Sequence, residues 1–196
     1  MQSVATNNKQ VIVGLGLTGL SCARYLSRKQ QNFTVVDSRK NPPCLDEFRQ
    51  EFPAIPVCLG EFSYKNLEGA SRLLVSPGVA LDQPAIAKAI EHGIVVSGDI
   101  DLFCDEAKAP IVAITGSNGK STVTTLVGLM AERCGKTVAV GGNIGVPVLD
   151  LLTIEEPDLY VVELSSFQLE RTNMPRFDIA TVLNISADHM DRYSDL

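Results

Sequence analysis

The sequence lacks an apolar run of roughly 18 residues, the minimum for a membrane-spanning helix. Its first ten residues, MQSVATNNKQ, are polar and lack the apolar segment of a secretory signal peptide. Basic residues are also scarce, because 17 lysines and arginines stand against 23 acidic residues, for a net charge of −6. That balance disfavours a protein that binds nucleic acid through a basic face. These absences predict a cytoplasmic protein with neither a membrane span nor a nucleic-acid partner.

Closely spaced cysteines are missing as well. The five cysteines are scattered, and no two have the C-x-x-C spacing of a zinc site, so we interpret them as reduced thiols. Apolar residues make up 45% and charged residues 20% of the 196 positions, a composition typical of globular proteins. The length suits one domain or two small ones.

Short β-branched segments alternate with helical segments along the whole chain, which predicts an α/β fold with parallel sheets. In the first half, the predicted strands are 10–14, 33–37, 72–76 and 93–98, and the predicted helices are 18–29 and 83–93. Residues 99–110 have the character of a connector. The same pattern then resumes, with strands at 111–115, 137–142, 159–164 and 179–185 and a helix at about 120–134. We therefore expect a Rossmann-like domain at 1–98 and a second α/β domain from 99 to 196.

A first glycine loop, GLGLTG at 14–19, follows a predicted strand and opens a helix. Glycines at this position let the backbone approach a pyrophosphate, and the helix N-terminus attracts its charge. Asp37 ends the next strand, where a dinucleotide-binding fold places its ribose-binding acid, so NAD is one candidate ligand. Arg39 lies two residues further on, and a second glycine loop, SPGV at 76–79, follows a later strand. A nucleotide sugar therefore suits the pattern as well as NAD.

A third glycine loop, GSNGKST at 116–122, joins the strand IVAIT to a helix and resembles a phosphate loop. The usual first glycine is missing, because position 114 is Ile, which indicates a shorter loop. The backbone N–H groups from Ser117 to Ser121 are expected to cradle phosphate oxygens. Lys120 is expected to reach the terminal phosphates, and the hydroxyl of Ser121 or Thr122 to meet Mg²⁺.

A nucleotide loop of this kind needs an acidic partner for its metal ion. Glu163 ends the apolar strand LYVVEL, which places a carboxylate at the strand tip where Mg²⁺ is expected. His189 follows the last predicted strand, and a role in metal or substrate binding is about as plausible there as simple surface exposure.

Seven motifs, in order, resemble the Mur ligases of peptidoglycan synthesis. They are GLGLTGLS, SPG, GDIDLF, ITGSNGKSTVTTL, GGNIG, ELSSFQLE and LNISADHMDRY. The resemblance extends from about residue 10 to residue 196, and it implies that the first domain binds UDP instead of NAD. It also implies an ATP-dependent reaction that joins D-glutamate to UDP-N-acetylmuramoyl-L-alanine through an acyl phosphate, in the cytoplasm.

The resemblance also assigns roles to individual residues. It implies an ATP site formed by Gly116, Ser117, Asn118, Gly119, Lys120, Ser121 and Thr122, with Lys120 on the phosphates. It implies a Mg²⁺ site that includes Ser121, Glu163 and His189, so that Lys120, Glu163 and His189 form the catalytic set. It implies substrate contacts from Leu17, Thr18, Asp37, Ser38, Arg39, Gly78, Asn143, Ser165, Ser166, Gln168 and His189.

Chains of this family are longer, and their central domain is followed by a third, amino-acid-binding domain. We therefore expect residues 99–196 to be an incomplete central domain, and the chain to be a fragment without ligase turnover alone. Two other hypotheses remain open: an NAD(P)-dependent oxidoreductase built on the first loop, which leaves Lys120 and Glu163 unused, and a nucleotide-binding module without enzymatic activity.

Overall fold

A computed structural model describes residues 9–173 and 175–187 of the chain. The chain divides into two compact units, Met1–Asp99 and Ile100–Leu196. Within the described ranges, every helix is too short or too polar to cross a membrane.

The first unit contains one five-stranded sheet in which every neighbouring pair of strands is parallel. The strand order is β3-β2-β1-β4-β5, which is the order of a Rossmann-like sheet. Its strands are β1 (Gln10–Val13), β2 (Phe33–Asp37), β3 (Val57–Leu59), β4 (Arg72–Val75) and β5 (Val95–Ser97). Its helices are α1 (Leu17–Arg28), α2 (Leu45–Glu51), α3 (Tyr64–Leu67) and α4 (Pro84–Glu91).

The second unit contains a four-stranded parallel sheet in the order β7-β8-β6-β9. Its strands are β6 (Ile111–Thr115), β7 (Val138–Gly142), β8 (Leu159–Glu163) and β9 (Ile179–Val182). Its helices are α6 (Lys120–Arg133), α7 (Val148–Leu151) and α8 (Ser166–Leu169), and α5 (Asp99–Glu106) precedes them at the junction of the two units. The predicted α/β fold with parallel sheets is therefore confirmed in both units.

The central strands are apolar because both of their faces are covered. All four residues of β1 are buried, and so are the middle residues of β8. Helix α6 packs Val123 and Val127 against Val112, Ile114 and Val161 of the second sheet. Burial of these side chains on both faces makes each sheet a rigid support for the loops at its ends.

The predicted connector at 99–110 is wrong, because residues 99–106 form helix α5. Ile100, Phe103 and Cys104 follow one another at helical spacing and are buried, while the acids at 99, 101 and 105 hide this pattern in the sequence. Strand β9 is also shorter than expected and ends at Val182. It lies at the edge of the sheet, and all four of its residues are exposed.

Gly19 marks the closest approach of α1 to the loop that precedes it. A Cβ added to Gly19 would lie 2.0 Å from the Gly14 carbonyl oxygen, which is far inside van der Waals contact. Gly16, in the same loop, has φ −101° and would meet nothing within 4 Å. The third glycine of the motif is therefore required for packing, and the second is not.

We expect Gly19→Ala to destabilise the first unit by about 1–3 kcal/mol, because backbone must move to admit the methyl group. For a domain of this size, that loss lowers the melting temperature by roughly 5–20 °C, measured by circular dichroism. The matched variant Gly16→Ala should change stability by less than about 0.5 kcal/mol. Equal melting temperatures for the two variants would contradict the close contact.

Candidate functional site

The predicted ligand residues of the first unit lie at one edge of its sheet. Parallel strands β2, β1 and β4 are neighbours, so the segments that follow their carboxyl ends are adjacent. Strand β1 is followed by the glycine loop at 14–19, which includes Leu17 and Thr18, and Leu17 is exposed. Asp37 ends β2 and is followed by exposed Ser38 and Arg39, and exposed Gly78 follows β4.

The Asp37 carboxylate holds this edge together. Its side chain is 2% exposed, and its Oδ2 accepts hydrogen bonds from the Leu15 N–H (2.7 Å) and from Nη2 of Arg39 (2.6 Å). Its Oδ1 accepts from the backbone N–H (2.8 Å) and Nε (2.9 Å) of Arg39. Burial by itself would raise the pKa of Asp37, but the bonds from Arg39 and Leu15 outweigh burial and hold the pKa below its ordinary value. Asp37 therefore fixes both the glycine loop and the Arg39 guanidinium, which is half exposed.

The two glycine loops of the first unit touch each other. The Ser76 hydroxyl donates to the Gly14 carbonyl at 3.0 Å, and the Ser76 N–H continues the ladder to Val13. Ser76 did not stand out in the sequence, although its place at the end of a strand beside a glycine loop was a usable signal. This contact brings the loop at 76–79 next to the loop at 14–19, so one elongated ligand can contact both.

In the second unit, the shortened loop runs from β6 to α6 with two residues in left-handed conformations. Gly116 has φ 145° and Gly119 has φ 80°, values that side chains other than glycine rarely adopt. The Lys120 ammonium lies over the loop and donates to the carbonyl oxygens of Gly116 (2.6 Å) and Ser117 (3.1 Å). The missing glycine at 114 leaves Ile114 as a buried residue of β6, so the loop begins two residues later.

The backbone N–H groups of this loop that are available to a phosphate differ in part from the predicted set, which ran from Ser117 to Ser121. The N–H groups of Ser117 and Asn118 already donate to Asn184, to its backbone oxygen and its side-chain oxygen respectively. The N–H groups from Gly119 to Thr122 have no hydrogen-bond acceptor among the described residues. Anion-binding capacity therefore concentrates at the N-terminus of the 14-residue helix α6.

Glu163 lies beside the base of this loop, because its register partner in β6 is Ile114. The side chain is 1% exposed, and its Oε1 accepts a hydrogen bond from the Asn143 amide at 2.7 Å. Its Oε2 is buried and has no partner among the described residues. A buried carboxylate oxygen without a donor is costly, and a cation would satisfy it.

The oxygen ligands at this loop suit Mg²⁺, which binds substrate phosphates and water as well as protein, better than they suit a metal ion that is coordinated by protein side chains alone. No group of three His, Cys, Asp or Glu residues close enough to hold a metal occurs in ranges 9–173 and 175–187. Mg²⁺ is commonly held by one or two carboxylates together with substrate phosphates and water. Glu163, with the exposed hydroxyls of Ser121 and Thr122 at the start of α6, supplies oxygen ligands of that kind.

The remaining predicted residues follow β7 and β8. Asn143 comes directly after β7 and reaches Glu163, so these two are brought together. Ser165 and Gln168 form the capping box of α8: the Ser165 hydroxyl accepts from the Gln168 N–H, and the Gln168 side chain accepts from the Ser165 N–H. Ser166 is exposed at the first position of that helix, and His189 lies outside the described residues.

Comparisons with known proteins match both units. The model of the Mur ligase MurD-like, N-terminal domain matches residues 8–98, and the Mur ligase middle domain matches residues 114–196. The UDP-N-acetylmuramoylalanine--D-glutamate ligase of Marinobacter nauticus is 56% identical over 195 residues, and that of Pseudomonas aeruginosa is 54% identical over 196 residues. Each match covers the whole of this chain and 44% of the relative, so the chain spans less than half the length of these relatives.

Solved structures support the fold. A UDP-N-acetylmuramate:L-alanyl-gamma-D-glutamyl-meso-diaminopimelate ligase from Neisseria meningitides aligns with a TM-score of 0.59 and 17% identity, over 96% of this chain and 64% of that one. A UDP-N-acetylmuramate-alanine ligase from Thermotoga maritima aligns with a TM-score of 0.56 and 21% identity, over 96% and 44%. At these identities the likeness concerns the fold alone.

The Asp37 network predicts a stability difference that depends on pH. At neutral pH, Asp37→Asn should lower the melting temperature, because an amide cannot accept from all four donors as a carboxylate does. The folded-state pKa of Asp37 lies below its ordinary value of about 3.9, so its stabilisation is complete above that value and is lost as the pH falls through the folded-state pKa.

The difference between wild type and variant, measured by thermal unfolding from about pH 7 to about pH 3, should therefore shrink on the acidic side. Asp82→Asn, at an exposed position of the same unit, should cost little at neutral pH. A difference for Asp37→Asn that is constant across this range would refute the role of the ionised carboxylate.

Proposed function

This chain belongs to the Mur ligase family, and from this we propose that it forms the UDP-substrate and ATP sites of a ligase that adds D-glutamate to UDP-N-acetylmuramoyl-L-alanine. The reaction would be a step of peptidoglycan precursor synthesis. One observation carries the proposal: each unit has a glycine loop at the carboxyl edge of a parallel sheet. The first lies beside Arg39, and the second leads from β6, whose neighbouring strand ends in buried Glu163, into α6 at Lys120.

The first unit suits UDP better than NAD. A ribose-binding acid needs a free carboxylate oxygen for the sugar hydroxyl, but both oxygens of Asp37 already accept two hydrogen bonds each. Arg39, held in place by Asp37, has an exposed guanidinium that can pair with a phosphate or the carbonyls of a base. Leu17, Thr18, Ser38 and Gly78 surround the same edge and complete the proposed uridine nucleotide site.

The second unit would bind ATP with its phosphates on the N-terminus of α6. The N–H groups from Gly119 to Thr122 point out of that helix end, and the helix dipole favours negative charge there. Lys120 would exchange its bonds to the Gly116 and Ser117 carbonyls for phosphate oxygens. Both features neutralise charge that builds up as the terminal phosphoryl group is transferred.

Mg²⁺ would be held by Glu163 through Oε2, which has no partner in the part of the chain that the structure describes, and the Ser121 or Thr122 hydroxyl and His189 are further candidate ligands. When bound, the ion would offset negative charge on the phosphates. Asn143 keeps the other oxygen of Glu163 occupied, and it thereby orients the carboxylate.

The chemistry explains why one protein needs two phosphate sites. A carboxylate is a poor electrophile, so the alanyl carboxylate of the UDP substrate would first take the terminal phosphoryl group of ATP, with ADP as the leaving group. The amine of D-glutamate would then attack the acyl carbon and displace phosphate. Positioning and charge neutralisation by residues such as Lys120 account for most of the catalysis that such a transfer requires.

We expect the chain to bind UDP more tightly than NAD in calorimetric titrations. Arg39→Ala should weaken UDP binding by roughly 10- to 100-fold, because a hydrogen bond to a charged group is worth about 1.5–3 kcal/mol. Arg28→Ala removes the same charge from the far end of α1 and should leave UDP binding unchanged. Tighter binding of NAD than UDP would support an oxidoreductase and overturn the proposal for the first unit.

Catalysis can be tested in an extended ligase, which we define as this chain continued by the part of the Pseudomonas aeruginosa relative beyond the matched region. Lys120→Ala should lower ATP-dependent turnover at least about 100-fold, because charge develops on the oxygens that the lysine contacts. Lys136→Ala is the matched control, since Lys136 pairs with exposed Asp158 before strands β7 and β8, at the opposite edge of the sheet.

The assay follows phosphate release that requires both UDP-N-acetylmuramoyl-L-alanine and D-glutamate. Near-normal turnover of Lys120→Ala would remove this residue from its role. Binding of both nucleotides by the unsubstituted extended ligase, without such phosphate release, would favour a nucleotide-binding module without this activity.

A further inference from the structure

The segment Asn184–Ser186, just after β9, is bonded to the phosphate loop through Asn184 and Ser186. The Asn184 side chain accepts from the Asn118 N–H at 2.9 Å and donates to the Asn118 carbonyl at 2.9 Å. The Asn184 carbonyl accepts from the Ser117 N–H at 3.1 Å. The Ser117 hydroxyl donates to the Ser186 carbonyl at 3.1 Å and accepts from the Ser186 N–H at 3.0 Å.

These bonds hold the part of the loop that most needs support. Ser117 and Asn118 lie between Gly116 and Gly119, both of which have left-handed φ angles. Glycine has more backbone conformations than any other residue, so the three peptide bonds that link Gly116 to Gly119 are free to reorient unless something fixes them. The paired donor and acceptor of Asn184 fix both polar groups of Asn118 at once.

The orientation of these peptides decides where the nucleotide-binding groups lie. Gly119 is the residue before α6, so the Asn118 peptide sets the direction in which the N–H groups of Gly119 and Lys120 enter the helix. The carbonyls of Gly116 and Ser117 hold the Lys120 ammonium. A change at Asn118 therefore reaches both the helix donors and the lysine.

We propose that Asn184 is a positioning residue of the ATP site, which acts by holding the Asn118 peptide. The inference rests on the proposed ATP site of the second unit and deepens it. Asn184 binds the loop from the segment after the outer strand β9, and it leaves the donors from Gly119 to Thr122 for phosphate.

The test compares variants of the extended ligase. Asn184→Ala removes two hydrogen bonds to Asn118, and we expect the KM for ATP to rise at least about 10-fold, while the KM for the UDP substrate stays within about twofold. Ser186→Ala keeps the backbone contacts of Ser186 and, among the described residues, loses one 3.4 Å contact to the Asn118 side chain, so its kinetics should match those of the unsubstituted protein.

A second variant covers the case in which Asn184→Ala does not fold. Asn184→Asp keeps the acceptor for the Asn118 N–H but cannot donate to the Asn118 carbonyl, and it adds a negative charge beside the phosphates. It should also raise the KM for ATP at least about 10-fold without changing the KM for the UDP substrate.

Amide hydrogen exchange in the unliganded protein gives a readout independent of turnover. The Ser117 and Asn118 N–H groups should exchange faster in Asn184→Ala than in Ser186→Ala. Faster exchange with an unchanged KM for ATP in both Asn184 variants would overturn the positioning role and leave the proposed function intact. Absence of ATP-dependent turnover in the unsubstituted extended ligase would overturn the proposed function and this inference with it.

Discussion

Parallel strand pairing is the constraint on which the rest of this structure depends. In a parallel sheet the carboxyl ends of neighbouring strands meet at one edge, so residues distant in sequence become neighbours without any long loop. Asp37 ends one strand of the first sheet and Ser76 follows another, and both bond to the loop at 14–19. Asn143 and Glu163 meet in the same way in the second sheet. Each edge collects polar groups, while the strands beneath it stay apolar and rigid.

Asp37 and Glu163 are buried carboxylates at these two edges, but they differ in how many of their oxygen atoms accept hydrogen bonds. This difference indicates different roles. Asp37 accepts four hydrogen bonds from its own unit, so it acts on a ligand only through what it holds, namely the Leu15 peptide and Arg39. Glu163 has one oxygen bonded to Asn143 and one oxygen without a partner among the described residues. A saturated acid stabilises the fold, whereas a half-satisfied acid retains the capacity to bind a cation. Both end a strand before a loop, so sequence position alone could not distinguish them.

Periodicity predicted the long elements well, because segments such as Phe33–Asp37, Ile111–Thr115 and Lys120–Arg133 are long enough to display their pattern. It missed the four-residue helices α3, α7 and α8, which are too short to show one. It also missed α5, whose buried Ile100 and Phe103 stand among acids. The strand that ends at Asp37 was predicted with its observed bounds, but the hydrogen bonds of Asp37 to Arg39 and Leu15 depend on side-chain conformations that a linear pattern does not contain. Asn184 escaped notice because Asn118, which its side chain contacts, lies 66 residues away along the chain.

Position 114 does not need glycine because it belongs to strand β6 and not to the loop. A strand residue occupies that position, since Ile114 is buried and pairs with both Glu163 and Thr181. Extending the strand shortens the loop, and a shorter loop has fewer peptides with which to surround a phosphate. Two of their N–H groups, those of Ser117 and Asn118, donate hydrogen bonds to Asn184. The N–H groups of Ser117 and Asn118 thus fix the shape of the loop instead of binding an anion. Lys120 and the first N–H groups of α6 supply the positive potential. Such a loop suits a reaction whose catalysis depends mainly on where the terminal phosphate is held.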